Sequence, residues 1–352
     1  MPAMSSESPP AAVAVSAEAQ AVHAAALPID LHADTTKFIA RGYDFFARHQ
    51  PSWVTQRVGG HVDLPRMREG NLHGQFFGLW TFPKPEAGCY AEVHRQIDAL
   101  ERAAASQPGL RVCRSAEEVL RARAEDCVAG LLGIEGGHCL GSDPDPQVAI
   151  ERLRVLAGRG VRYLGLLHFS RNSLGFPAMG WGQDASRGLT SLGCAVVDAC
   201  ADLGVIPDLA HINRVGFFDV IRRFRKPVWV SHTGVVGVTP HWRNIDDLQL
   251  RAVADSGGVI GVIFAPQFLG QNGLDGVVAH LQHILNTVGE DAVAIGSDWD
   301  GFIRPVRGLG SPAELPNLTE ALLRAQVKPQ TIHKILGGNV LRVLQAVPPV
   351  SS

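Results

Sequence analysis

Seven residues that can hold a metal ion or move a proton fall where short apolar runs of the chain end: His32, Asp34, Glu135, His168, His211, His232 and Asp298. His32 and Asp34 are two residues apart, so in an extended strand both side chains point the same way and can converge. Glu135 stands in Ile134-Glu135-Gly136-Gly137, an apolar setting in which a carboxylate must find a partner or stay protonated. Taken singly, a histidine at a strand end is ordinarily a hydrogen-bonded structural residue. Taken together, these groups are a costly collection of buried polar side chains, and a metal site accounts for all of them at once. Imidazole nitrogens and carboxylate oxygens without a thiolate suit a borderline divalent ion such as Zn²⁺. The set offers more ligands than one tetrahedral ion that keeps a water can use. Two ions about 3.5–4 Å apart, sharing a carboxylate, use them better.

The elements that must position these residues are legible as eight apolar, β-branched runs. They lie near Leu27–Asp34, Gln75–Phe82, Val128–Glu135, Val161–Phe169, Val205–His211, Pro227–His232, Val259–Phe264 and Ala292–Asp298. Between them, Phe217, Val220, Ile221 and Phe224 share one helical face, as do Val277, Leu281, Ile284, Leu285 and Val288. Asn213 and Asn244 stand where helix N-caps are expected, and Asp63 caps a turn just before Pro65. Near-continuous apolar strands alternating with amphipathic helices imply a parallel sheet covered by helices, and eight units imply a (β/α)₈ TIM-like barrel. Functional residues of such barrels sit at the C-terminal ends of the strands, where these seven fall. No G-x-G-x-x-G follows the first run and no phosphate-binding G-x-x-x-x-G-K-[ST] occurs, which disfavours an open nucleotide-binding sheet.

Composition bounds the rest. With 352 residues, 46% of them hydrophobic and 19% charged, the chain can bury a large core. A net charge of −2 without a basic run gives no electrostatic footprint for nucleic acid or an anionic membrane. No apolar run reaches membrane-spanning length. The six cysteines include no C-x-x-C pair and read as reduced, buried thiols, Cys139 among them. Residues 1–27 read as a disordered leader, 28–347 as one barrel domain and 348–352 as a short tail, with the cytoplasm as the expected location.

In order and spacing, several motifs together resemble the membrane (renal) dipeptidases, the M19 metallopeptidases of the amidohydrolase superfamily. They include Ile29-Asp-Leu-His-Ala-Asp34, His61-Val-Asp-Leu-Pro65, Gly133-Ile-Glu-Gly-Gly-His138 and Arg162-Tyr-Leu-Gly-Leu-Leu-His168. Asp208-Leu-Ala-His211, Pro227-Val-Trp-Val-Ser-His232, Arg243-Asn244 and Gly296-Ser-Asp-Trp-Asp-Gly301 continue the match. The resemblance implies two Zn²⁺ ions, one held by His32 and Asp34 and the other by His211 and His232, bridged by Glu135 and a hydroxide. It implies that Asp298 takes the proton of the attacking water, that His168 stabilises the oxyanion, and that Arg243 pairs with the substrate carboxylate. The implied substrate is a small dipeptide, with a D-residue tolerated at the C-terminal position, and a homodimer is common in the family. Two segments depart from the family pattern. Phe169-Ser-Arg-Asn-Ser173 follows His168, and Ile263-Phe264-Ala265-Pro266 stands where many members carry a Tyr after Asn-Phe. Hydrolysis of another small amide or lactam is therefore a second reading. A catalytically silent binding barrel is a third, opposed by the joint presence of all the ligands.

Overall fold

The apolar runs form parallel strands because each is buried on both faces, one against the interior of a barrel and one against the surrounding helices. A computed structural model describes residues 14–50, 59–81 and 86–350. Its strands are β1 (Ile29–Ala33), β2 (Gly74–Trp80), β3 (Leu110–Val112), β4 (Val128–Glu135), β5 (Val161–Gly165), β6 (Ile206–Asp208), β7 (Trp229–Thr233), β8 (Val259–Val262) and β9 (Val293–Ile295). The order β1-β2-β4-β5-β6-β7-β8-β9 reproduces the eight runs as a nearly closed barrel. β3 is an addition that sequence reading does not supply. It pairs with the first residues of β4, on the edge that β5 takes over from Leu132.

The seam between β9 and β1 is closed by backbone and side-chain bonds. Asp298 N donates to His32 O at 3.0 Å and Asp34 N to Trp299 O at 2.9 Å. Beneath them the buried Asp30 carboxylate accepts from Ser297 N, Ser297 Oγ and Gln75 Nε2 at 2.6–2.7 Å, tying both sides of the seam together. Phe76, Tyr163 and Trp229 pack edge to face or tilted, with centroids 5.0–5.5 Å apart, and fill the barrel interior. Gly133 makes that packing possible, since a Cβ there would lie 2.0 Å from the Tyr163 ring.

Three expectations need correction. The leader is ordered in its second half: Ala17–Ala25 is a helix whose N-cap, Ser16, accepts from Ala19 N and donates through N and Oγ to Glu320. Its His23 is buried between Thr319 Oγ1 and Gly70 O, so an Ala-rich segment with one good cap is held by tertiary contacts rather than left free. Residues 1–13 lie outside the described residues. Asn213 and Asp63 do cap helices, but Asn244 does not. Asp246 is the N-cap of Asp247–Asp255, closing a capping box with Gln249, while the Asn244 amide donates to Thr239 O and Phe268 O. Finally, β5, β6 and β9 end three residues before His168, His211 and Asp298, so these residues belong to the loops that leave the strands. None of the six cysteines forms a disulfide, and burial raises the Cys139 thiol to about 12, in keeping with a structural role.

Candidate metal centre

His32 lies in β1 and Asp34 just beyond it, and their alternation brings His32 Nε2 to 3.4 Å from Asp34 Oδ1. Glu135 closes β4 and places Oε1 3.5 Å from His32 Nε2, 3.1 Å from His211 Nε2 and 3.6 Å from His232 Nε2. The two Nε2 atoms of His211 and His232 face each other at 2.9 Å. His168 brings Nε2 to 3.7 Å from Glu135 Oε1, and Asp298 brings Oδ1 to 3.8 Å from His32 Nε2. The donors thus form three overlapping groups, each within 4.8 Å: His32, Asp34 and Glu135; Glu135, His168 and His211; His32, His232 and Asp298. All seven predicted residues meet at one point. His211 and Asp298 do so with left-handed backbones, φ +65° and +61°, which non-glycine residues adopt at a cost. Strand alternation therefore does not set Asp298 and Asp300 on one face. Asp300, also left-handed, accepts instead from Thr35 Oγ1 and His61 N and shapes the loop.

The donors fit a cation. His32 Nε2 and Asp34 Oδ1 are buried with no hydrogen-bond partner, an arrangement that is costly unless something binds between them. Gly78 opens the space, because a Cβ there would lie 2.6 Å from Asp34 Oδ1 and 2.7 Å from His32 Cε1. His32 Nδ1 lies 2.7 Å from Tyr163 Oη, and His232 Nδ1 lies 2.8 Å from Ser231 Oγ, whose hydroxyl donates to Asp208 Oδ2. With protons on both Nδ1 atoms, each Nε2 keeps its lone pair for the cluster. Burial, reinforced by Arg243 and neighbouring imidazoles, holds His211 and His232 well below the usual imidazole range, in the neutral form a metal requires. Burial opposes ionisation of Asp34, yet Lys37 and His32 outweigh it and bring its carboxyl down to about 2. Burial, with Glu135 and Asp34 nearby, raises Asp298 well above the carboxylate range, against the pull of His32.

The cluster floors a cavity of about 390 Å³. Arg243, in the loop after β7, lines it from one side. Its Nη2 donates to His232 O at 3.0 Å, while the buried Nε has no partner. Burial lowers it only to about 10, so the guanidinium remains charged at neutral pH. Phe169 lines the cavity, whereas Asn172 spends its amide on Leu166 O and is structural. His138, His61 and His241 bond to Ser170 Oγ, Asp300 N and Arg243 N respectively, and stay outside the cluster. Sequence reasoning missed Tyr163, Ser231 and Lys37. Tyr163 carried a usable signal, since alternation from Gly165 turns it inward. Lys37 carried none.

A nearly closed eight-stranded barrel with a buried histidine and carboxylate cluster at the C-terminal ends of its strands is an amidohydrolase-type metallohydrolase architecture. The chain belongs to the membrane dipeptidase family, peptidase family M19, whose model matches residues 16–352. It is 30% identical over 339 residues to dipeptidase tcpJ of Claviceps purpurea, covering 92% of this chain and 77% of that protein. It is similar to a metallo peptidase from Rhodobacter sphaeroides solved with a phosphinate mimic of L-Ala-D-Ala, at 27% identity and a TM-score of 0.79 over 92% of this chain and 100% of that one. The probable dipeptidase PvdM from Pseudomonas aeruginosa shares the fold at 21% identity, with a TM-score of 0.83 over 94% and 97% of the two chains. Among the described residues no helix is long and apolar enough to cross a membrane.

Proposed function

We propose that the protein is a binuclear zinc dipeptidase. Its metal ligands are His32 and Asp34 for one ion, His211 and His232 for the other, and Glu135 between them. The observation that carries this reading is the orphaned pair His32 Nε2 and Asp34 Oδ1, buried within 4.8 Å of a Glu135 oxygen that also faces His211 and His232. When bound, the ions would polarise the scissile carbonyl and lower the pKa of the attacking water.

The chain's own residues account for the remaining steps. Asp298 lines the cavity beside His32, where bound cations would favour its ionised form; it takes the proton of the water and returns it to the leaving amine. Burial lowers the basicity of His168, which therefore stays neutral and can donate an N–H to the oxygen that becomes negative, a contribution of about 3–4 kcal/mol to the barrier. Arg243 offers the free edge of its guanidinium to the substrate's terminal carboxylate, in geometry that lysine does not reproduce. A carboxylate held there fixes one end of the substrate whatever the configuration at the adjacent carbon, which is consistent with a D-residue at that position.

Metal analysis combined with hydrolysis of L,L- and L,D-dipeptides tests the proposal. Two zincs per chain with turnover of free dipeptides are expected. Two zincs with turnover only of acylated or cyclic amides would transfer the chemistry to another substrate class. A protein that neither binds zinc nor hydrolyses any amide would refute the proposal.

A further inference from the structure

The side of the cavity facing away from Arg243 is built differently. β2 and β7 stand four places apart in the eight-strand order, so they lie across the barrel from each other. Arg243 follows β7, and Trp80 ends β2. Trp80 lies 5.3 Å, centroid to centroid, from Phe302, which follows β9, and both rings line the cavity with Ile303 beside them. Phe302 holds a left-handed φ of +59° and leaves 51% of its surface exposed at the mouth. Half of this ring stays in water on a strained backbone, and covering it by a ligand recovers apolar burial.

Behind the two rings lies Lys37, 1% exposed, with Nζ 3.8 Å from the Phe302 centroid and 4.8 Å from that of Trp80. The same ammonium bonds Asp34 Oδ2 at 3.0 Å. The ammonium is thus anchored by a carboxylate of the metal cluster and draws both aromatic faces toward one point. The wall is held in place before any ligand arrives, which reduces the ordering cost of binding.

We infer that Trp80 and Phe302, positioned by Lys37, form a subsite for a bulky apolar or aromatic side chain on the substrate's N-terminal residue. The inference rests on the dipeptidase reading, because Arg243 must take the C-terminal carboxylate for the opposite residue to meet this wall. The test is kcat/KM for zinc-loaded protein with Phe-Ala, Leu-Ala, Ser-Ala, Ala-Ala and Ala-Phe. Phe-Ala and Leu-Ala should exceed Ala-Ala by about tenfold or more, and Ala-Phe should not share the gain. The Phe-Ala to Ala-Ala ratio should collapse in F302A and fall in Lys37→Met, with Lys37→Arg restoring most of it. Turnover without the apolar preference, a preference that resides in Ala-Phe, or a ratio unchanged in F302A overturns the subsite while leaving the dipeptidase reading intact. Failure to hydrolyse any of the five, together with failure on their L,D counterparts, overturns both.

Discussion

Gly78 offers a direct test of whether the His32 and Asp34 donors are held for a metal ion. Its backbone has no special conformation, so Gly78→Ala adds one methyl group and little else. That methyl would stand 2.6 Å from Asp34 Oδ1 and 2.7 Å from His32 Cε1, where 3.4 Å begins ordinary contact. One or both ligands must therefore recede by about 0.8 Å, or the β2 backbone must move by as much. Metal–ligand distances tolerate only about 0.2 Å. The expected loss of affinity is at least the about 10–100-fold that follows when groups supporting metal ligands are removed. Overpacking should cost the metal-free fold about 1–3 kcal/mol, which denaturant unfolding of the apoprotein measures separately. The assay is zinc per chain after equilibration against buffers of fixed free zinc. One ion should be lost or weakened while the ion at Glu135, His211 and His232 persists. Wild-type occupancy of both sites in a folded Gly78→Ala protein would refute the claim that this glycine makes room for a metal.

Other perturbations separate the remaining roles. Tyr163→Phe removes the partner of His32 Nδ1, and chelator competition should show zinc held about tenfold more weakly; an unchanged affinity would remove Tyr163 from the support of the site. Asp298→Asn should keep zinc and lose about 10²–10⁴-fold in kcat, so full activity in that variant would exclude Asp298 as the proton carrier. His280 bears on stability rather than chemistry. Its Nδ1 accepts from Val235 N, and burial lowers its pKa to about 4 against 6.5 in the unfolded chain. The folded state thus binds fewer protons in that window. The contribution is complete above pH 6.5 and is lost as pH falls toward 4, by up to about 3 kcal/mol. Urea unfolding at pH 7.5 and 4.5 should show a smaller acid loss in His280→Gln, and an equal loss in both proteins would exclude this histidine as a source.

The barrel was readable from the chain because its strands are buried on both faces, and burial on both faces leaves uninterrupted apolar runs that no loop shares. What periodicity does not mark is where pairing stops. β6 keeps only Ile206–Asp208 of the run ending at His211, because the backbone must turn left-handed at His211 to aim the imidazole at Glu135. β3 and the helix Ala17–Ala25 escaped for a related reason. The first is Leu110-Arg111-Val112, with a charge at its centre and no apolar run around it, and the second owes its order to Glu320 and Thr319, about 300 positions away.

The same distinction divides the site. Ligand types are covalent facts, so His32, Asp34, Glu135, His211 and His232 can be suspected from identity and from falling at the ends of apolar runs. What holds them depends on which elements the barrel makes neighbours. Tyr163 reaches His32 only because Gly133 lacks a side chain. His232 is oriented through Ser231 by Asp208, which belongs to another strand. Lys37 would ordinarily read as a solvated lysine at the start of a short helix, yet it is buried between a metal-cluster carboxylate and two aromatic rings. A buried ammonium is retained only where its partners outweigh the loss of hydration. Asp34, Trp80 and Phe302 supply those partners from three separate parts of the chain. The first belongs to the candidate metal cluster and the other two to the cavity wall, so one lysine links the geometry of that cluster to the shape of the cavity.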